Sequence, residues 1–141
     1  MFEIVKRNES NSFYSVKNEM IKKAEENMGV FIPKALQTFF LEVGYGFLES
    51  KKSNVNRLMG PSSISEFRLM IGQFENSEIA EEFKIYSSDK LVFFEVNESM
   101  YLSIGITKNN AGKIFYYDDL IAVNLEEFLK KYTEKEGFFL E

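Results

Sequence analysis

The sequence has 141 residues, 45% of them hydrophobic and 16% aromatic, which is enough for one packed domain and too apolar for a disordered chain. It contains no cysteine and no histidine, so a disulfide frame, a thiol nucleophile and nearly every zinc, copper or haem site are excluded, and no metal or cofactor is expected. The formal charge of -5 disfavours nucleic acid as a direct partner, because phosphate binding needs a basic face.

The opening Met1-Phe2-Glu3-Ile4-Val5-Lys6-Arg7 lacks the basic-then-apolar pattern of a signal peptide. No apolar run approaches the roughly 20 residues that span a bilayer, so the chain reads as cytoplasmic and free of membranes. Phe2 to Lys6 suits a short edge strand or an arm, and Asn8 to Ser12 a loop. Met20, Ile21, Ala24 and Met28 then recur at helical spacing, with Ser15 or Asn18 as the cap and Gly29 as the left-handed stop. Pro33 opens a second helix, because a first helical position needs no N–H, and Leu36, Phe39, Phe40 and Val43 form its apolar stripe up to Gly44.

Gly46 to Glu49 and Asn54 to Leu58 flank the polar turn Ser50-Lys51-Lys52-Ser53, which predicts a small hairpin. After the break at Gly60-Pro61, Ser63 with Glu66 reads as a capping box for a short helix with Ile64, Phe67 and Ile71 inward, ending at Gly72. Glu75 to Phe83 predicts a further helical segment with Ile79 and Phe83 inward and its acids outward. From Leu91 the period changes to two. Leu91 to Val96, Tyr101 to Ile106 and Lys113 to Tyr117 are rich in β-branched and aromatic residues and are joined by short polar turns, so they predict an antiparallel three-strand meander.

The closing helix has the sharpest start. Asn124 caps, Glu127 follows three residues later, and Val123 is placed to staple against Phe128. Leu125, Phe128, Leu129 and Tyr132 form the apolar stripe, and Gly137 is the expected stop. The apolar tail Phe138-Phe139-Leu140 should dock either on the domain itself or on a second copy, which would make a homodimer. The sum is one α+β domain over residues 1–141, with an N-terminal helix pair, a mainly antiparallel sheet and a C-terminal helix on it.

Charge is not spread evenly. Between Gln73 and Ser99 the acids are Glu75, Glu78, Glu81, Glu82, Asp89, Glu95 and Glu98 against only Lys84 and Lys90, while the other fifteen acids match fifteen bases. The whole net charge therefore sits in one segment, which suits a surface that meets a basic partner; a merely solvated helix face is the plainer reading.

Candidate chemistry is sparse. Asp118-Asp119, the adjacent aspartate pair at a strand end, could in principle bind a cation or supply acid and base, but neighbouring strand residues point to opposite faces and aspartate is common in turns. Gly44-Tyr45-Gly46 lacks the third glycine and following helix of a dinucleotide loop, and its glycines are better explained by a helix end and a strand start with unusual backbone angles. Tyr101, Phe115, Tyr116 and Tyr117 could stack bases, but no basic groove accompanies them, so they read as core and sheet face. No catalytic set emerges.

The helix end at Glu25 and Gly29, the start at Val30 and Pro33, the aromatic second helix with Phe39 and Phe40, and the turn at Gly44 and Gly46 together resemble the SUKH superfamily of small cytosolic domains. The Leu-x-Ile-Gly strand at 102–105, the Gly-Lys-Ile-Phe strand at 112–115 and the Leu-Glu-Glu-Phe-Leu run at 125–129 extend the resemblance over most of the chain. Members of that superfamily are chiefly bacterial immunity proteins that bind and neutralise toxins, often nucleases, delivered between competing cells; a fungal branch regulates cell-wall assembly. The resemblance therefore implies a non-enzymatic binder whose partner is a cognate toxin, with a basic nuclease domain fitting the acidic segment. The alternative is a regulatory interaction module without a toxin, and a carboxylate hydrolase is a more distant one.

Overall fold

The structure, a computed structural model, describes residues 1–140. In chain order its elements are α1 (Glu3–Lys6), β1 (Ser12–Tyr14), α2 (Asn18–Met28), α3 (Lys34–Glu42), β2 (Tyr45–Leu48), β3 (Asn56–Leu58), α4 (Pro61–Leu69), α5 (Glu78–Glu82), β4 (Lys90–Val96), β5 (Met100–Gly105), β6 (Ile114–Tyr116), β7 (Asp119–Ala122) and α6 (Leu125–Glu134). Short 3-10 turns lie at Gly72–Phe74, Phe83–Tyr86 and Phe138–Leu140. The α+β class is as the sequence predicts, and β4, β5 and β6 are the expected meander. The sheet is larger than expected, because seven strands lie in sequence order and each of the first six pairs antiparallel with the next.

Helix ends with a local signal fall close to their predicted places. Gly29 is left-handed at φ 74, and its N–H reaches the Glu25 carbonyl at 2.8 Å. Asn124 caps α6 by accepting from the Glu127 N–H at 2.8 Å, while Glu127 reaches back to the Val123 N–H at 3.3 Å. Val123, placed to staple, is about half exposed.

Other boundaries are corrected. Lys17, not Ser15 or Asn18, holds the N-cap position of α2, and Pro33 precedes α3 as its N-cap. Pro61 is the first residue of α4, so Ser63 sits inside the helix and makes no cap; the helix closes at left-handed Met70, which leaves Ile71 exposed. Phe2 to Lys6 is a helical turn rather than a strand, because Phe2 and Val5, three apart, both bury, and the Phe2 ring meets Phe39 edge-on at 4.9 Å. Asn8 to Ser12 yields its last residue to β1, and α6 stops at Glu134, before Gly137.

Gly44 and Gly46 explain how β1 joins the sheet. Both have positive φ, 121 and 150, and a Cβ at either would collide with backbone oxygen, of Tyr14 in the first case and Ser12 in the second. Only glycine lets the two chains approach this closely.

Helices lie on both sheet faces, not on one. Register places Phe94 and Leu102 on one face and Glu95 and Tyr101 on the other. A bulge between Val92 and Phe94 turns both Phe93 and Phe94 toward Phe128 of α6, at ring distances of 5.9 and 5.2 Å. On the opposite face Tyr101 is met by Phe67 of α4 at 4.8 Å and by Phe74 and Phe83, both at 6.3 Å. The buried residues of both faces join into one cluster.

The C-terminal tail docks on its own chain. Phe138 lies 6.1 Å from Phe128, Phe139 packs edge-on against Tyr116 at 5.2 Å, and Leu140 stays exposed. Glu136, just before it, accepts from Ser50, the Lys51 N–H, Asn54 and Asn56, and so ties the end of the chain to the β2–β3 turn.

Candidate partner-binding surface

The acidic segment starts on the 3-10 turn before α5 and ends in the β4–β5 turn. Ser77 caps α5 by accepting from the Ala80 N–H at 3.1 Å, and Ala80 and Phe83 bury beneath it with Ile79 half-buried. That anchoring turns Glu75, Glu78, Glu81 and Glu82 out to solvent, and Glu98 is exposed on its turn. Glu81 shares its charge with Lys84, also exposed, at 3.0 Å.

Two of the seven predicted acids do not belong to that exposed set. Glu95 is 8% exposed and lies 3.2 Å from Arg57 Nε, and it accepts the Tyr101 hydroxyl at 2.6 Å. Burial, and then this carboxylate, push the Tyr101 phenol well above its ordinary range. Asp89 is half-buried and spends its carboxylate on Lys90 at 3.1 Å. The free face therefore carries five exposed carboxylates and one exposed lysine.

Register explains where these charges meet apolar surface. Phe47, Arg57, Glu95 and Tyr101 are successive cross-strand partners on β2, β3, β4 and β5, so they form one row across the sheet. Tyr101 is covered by the helices of its face, but the β2–β3 end of the row is open, with Phe47 39% and Val55 40% exposed. A shallow groove there is lined by Phe47, Val55, Arg57, Gln73, Glu95 and Glu98. Gln73 and Glu98 lie near the two ends of the acidic segment, so folding brings those ends together at the groove. Tyr14 continues the open face beyond it, 5.5 Å from its cross-strand partner Tyr45.

The row was missed in the sequence, although it left a trace: Glu95 is the one charge in the predicted strand Leu91 to Val96, and Arg57 is the one charge in Asn54 to Leu58, as a cross-strand ion pair requires. The other candidate residues fall as follows. Asp118 lies in the turn after β6, 3.4 Å from Lys90 Nζ, and Asp119 begins β7; both are exposed. Tyr117 stacks on Phe83 at 5.1 Å instead of offering a platform for bases. Among the described residues no group of three or more acids is placed to hold a metal ion, and no helix is long and apolar enough to cross a membrane.

Comparison with known proteins supplies a second line. The model of the SMI1 / KNR4 family (SUKH-1) matches residues 15–131. The chain is 40% identical over 140 residues to the immunity protein YxxD of Bacillus subtilis (strain 168), covering 99% of this chain and 95% of that relative. No solved structure matches.

Proposed function

This chain belongs to the SMI1 / KNR4 family (SUKH-1), and on that footing we propose that it is an immunity protein that neutralises a toxin by binding it. The partner is a cognate protein toxin met in the cytoplasm, its basic nuclease domain held by the acidic face, and inhibition is by occlusion rather than by chemistry. The observation that carries the binding surface is the groove between Phe47 and Glu98, where an exposed aromatic and Val55 lie beside the exposed Glu98 carboxylate and the largely buried Arg57–Glu95 pair. That is the composition of a protein interface: an apolar anchor contributes the affinity, and charges around it speed encounter and select the partner.

The test is co-expression with a candidate toxin taken from a neighbouring reading frame. Phe47→Ala should abolish protection while leaving the melting temperature within about 2 °C, since Phe47 is exposed. Full protection by that variant would move the binding surface elsewhere.

A further inference from the structure

Behind the acidic face, between α4, α5 and the inner strands β4 and β5, lies a cavity of about 20 Å³ lined by Arg68, Ser87, Lys90 and Ser103 among apolar walls. Its size suits a single particle as large as a water molecule or a small halide. Three features give it a polarity. Ser103 is fully buried, and its hydroxyl has no hydrogen-bond partner among the described residues. The Arg68 guanidinium donates to the carbonyls of Ser87 at 2.8 Å and Lys90 at 3.1 Å, two of its five N–H groups, and no carboxylate among the described residues pairs with it. Lys90, 7% exposed, is different: Asp89 and Asp118 lie 3.1 and 3.4 Å from its ammonium.

Charge therefore fails to close at this one place. Lys84 has Glu81 and Lys90 has two aspartates, which leaves Arg68 with carbonyl dipoles alone. Burial already pulls the Arg68 pKa below its ordinary value, the expected response of a cation that has lost water without gaining a counter-charge. An unpaired charge and an unpaired hydroxyl beside one cavity are each costly, and a single monovalent anion would relieve both.

We propose that this cavity binds one small monatomic anion of chloride size, held by the Arg68 guanidinium and the Ser103 hydroxyl. The ion pins α4 to β4 and β5 from beneath, at the base of the acidic helix, and is independent of any protein partner.

Thermal melts at constant ionic strength and pH 7, in sodium chloride, sodium bromide and sodium gluconate, test the site. The melting temperature should rise with chloride or bromide in a saturating curve, by about 3 °C over gluconate, whose anion cannot enter. Ser103→Ala removes the hydroxyl with little change of volume and should flatten that curve. Crystals grown in bromide should show an anomalous peak in the cavity beside Arg68, a readout that does not depend on a variant folding. Equal melting in all three salts, or bromide peaks only on the outer surface, would overturn the proposal and leave a water molecule as the occupant.

Discussion

The Ser50 hydroxyl donates to Glu136 Oε2 at 2.7 Å, joining positions 86 residues apart. Asn56 Nδ2 reaches the same oxygen at 2.9 Å and Asn54 Nδ2 at 3.1 Å, while the Lys51 N–H reaches Oε1 at 3.2 Å. One carboxylate thus fixes the whole β2–β3 turn, and with it the strands that carry Phe47 and Arg57. Burial alone would raise the Glu136 pKa, but the bonds from Ser50, Asn56, Asn54 and Lys51 outweigh it and hold the pKa below the ordinary 4.5.

A pH dependence follows from that depression. A carboxylate whose pKa is lower folded than unfolded contributes stability above its unfolded value, and the contribution is lost as pH falls through the folded value. Glu136→Gln, which keeps the shape and removes the charge, should cost about 1–3 kcal/mol at pH 7. The difference in melting temperature between parent and variant should shrink as pH falls from 5 toward 3. A constant difference over that range would mean that shape, not charge, holds the turn.

The tail gives a second prediction. Phe138 and Phe139 pack on Phe128 and Tyr116, and the Lys131 ammonium sits 5.7 Å above the Phe138 ring. Truncation after Glu136 removes both rings but leaves the Glu136 carboxylate, and should destabilise the protein by about 2–4 kcal/mol. Light scattering on the same samples checks the oligomeric state: because the rings dock within the chain, truncation should leave the mass of the particle unchanged. An unchanged melt would show that the tail contributes nothing to the core.

How much of this was legible follows from the range of the interaction that decides each element. Gly29 and Asn124 act on backbone groups within a turn, so a short window suffices. The Phe2–Val5 turn is helical only because Phe39, far along the chain, receives it, and β1 exists only because Gly44 and Gly46 admit its carbonyls. Periodicity shows neither. At the candidate site the seven acids were plain as residues, but not their exposure: Glu95 reads like Glu98 until Arg57 and Tyr101 arrive from neighbouring strands and turn it into an internal group. The apolar half of the groove was hidden too, since Phe47 looks like any strand phenylalanine before the sheet shows which face stays open.

The last prediction concerns the exposed carboxylates, and that correction shapes it. Glu78, Glu81 and Glu82 are all exposed; reversing them to lysine loses the exposed Glu81–Lys84 contact and the favourable charge of Glu78 and Glu81 in the first turn of α5, each a small surface effect, so the fold should be kept. If they face a basic toxin, the reversal places like charges across the interface and should slow association by at least tenfold at low salt. Parent association should itself slow as salt rises and the Debye length falls below about 10 Å, and the variant should lose that dependence. The control must carry the same charge change elsewhere. Glu136 is unsuitable because it holds the β2–β3 turn; Glu9, Glu126 and Glu134 are exposed and lie outside the segment. A cell that makes the toxin should survive with the control variant and die with the test variant. Equal protection by both would reduce the acidic segment to a solvated face and leave recognition to Phe47, Val55 and the open end of the sheet.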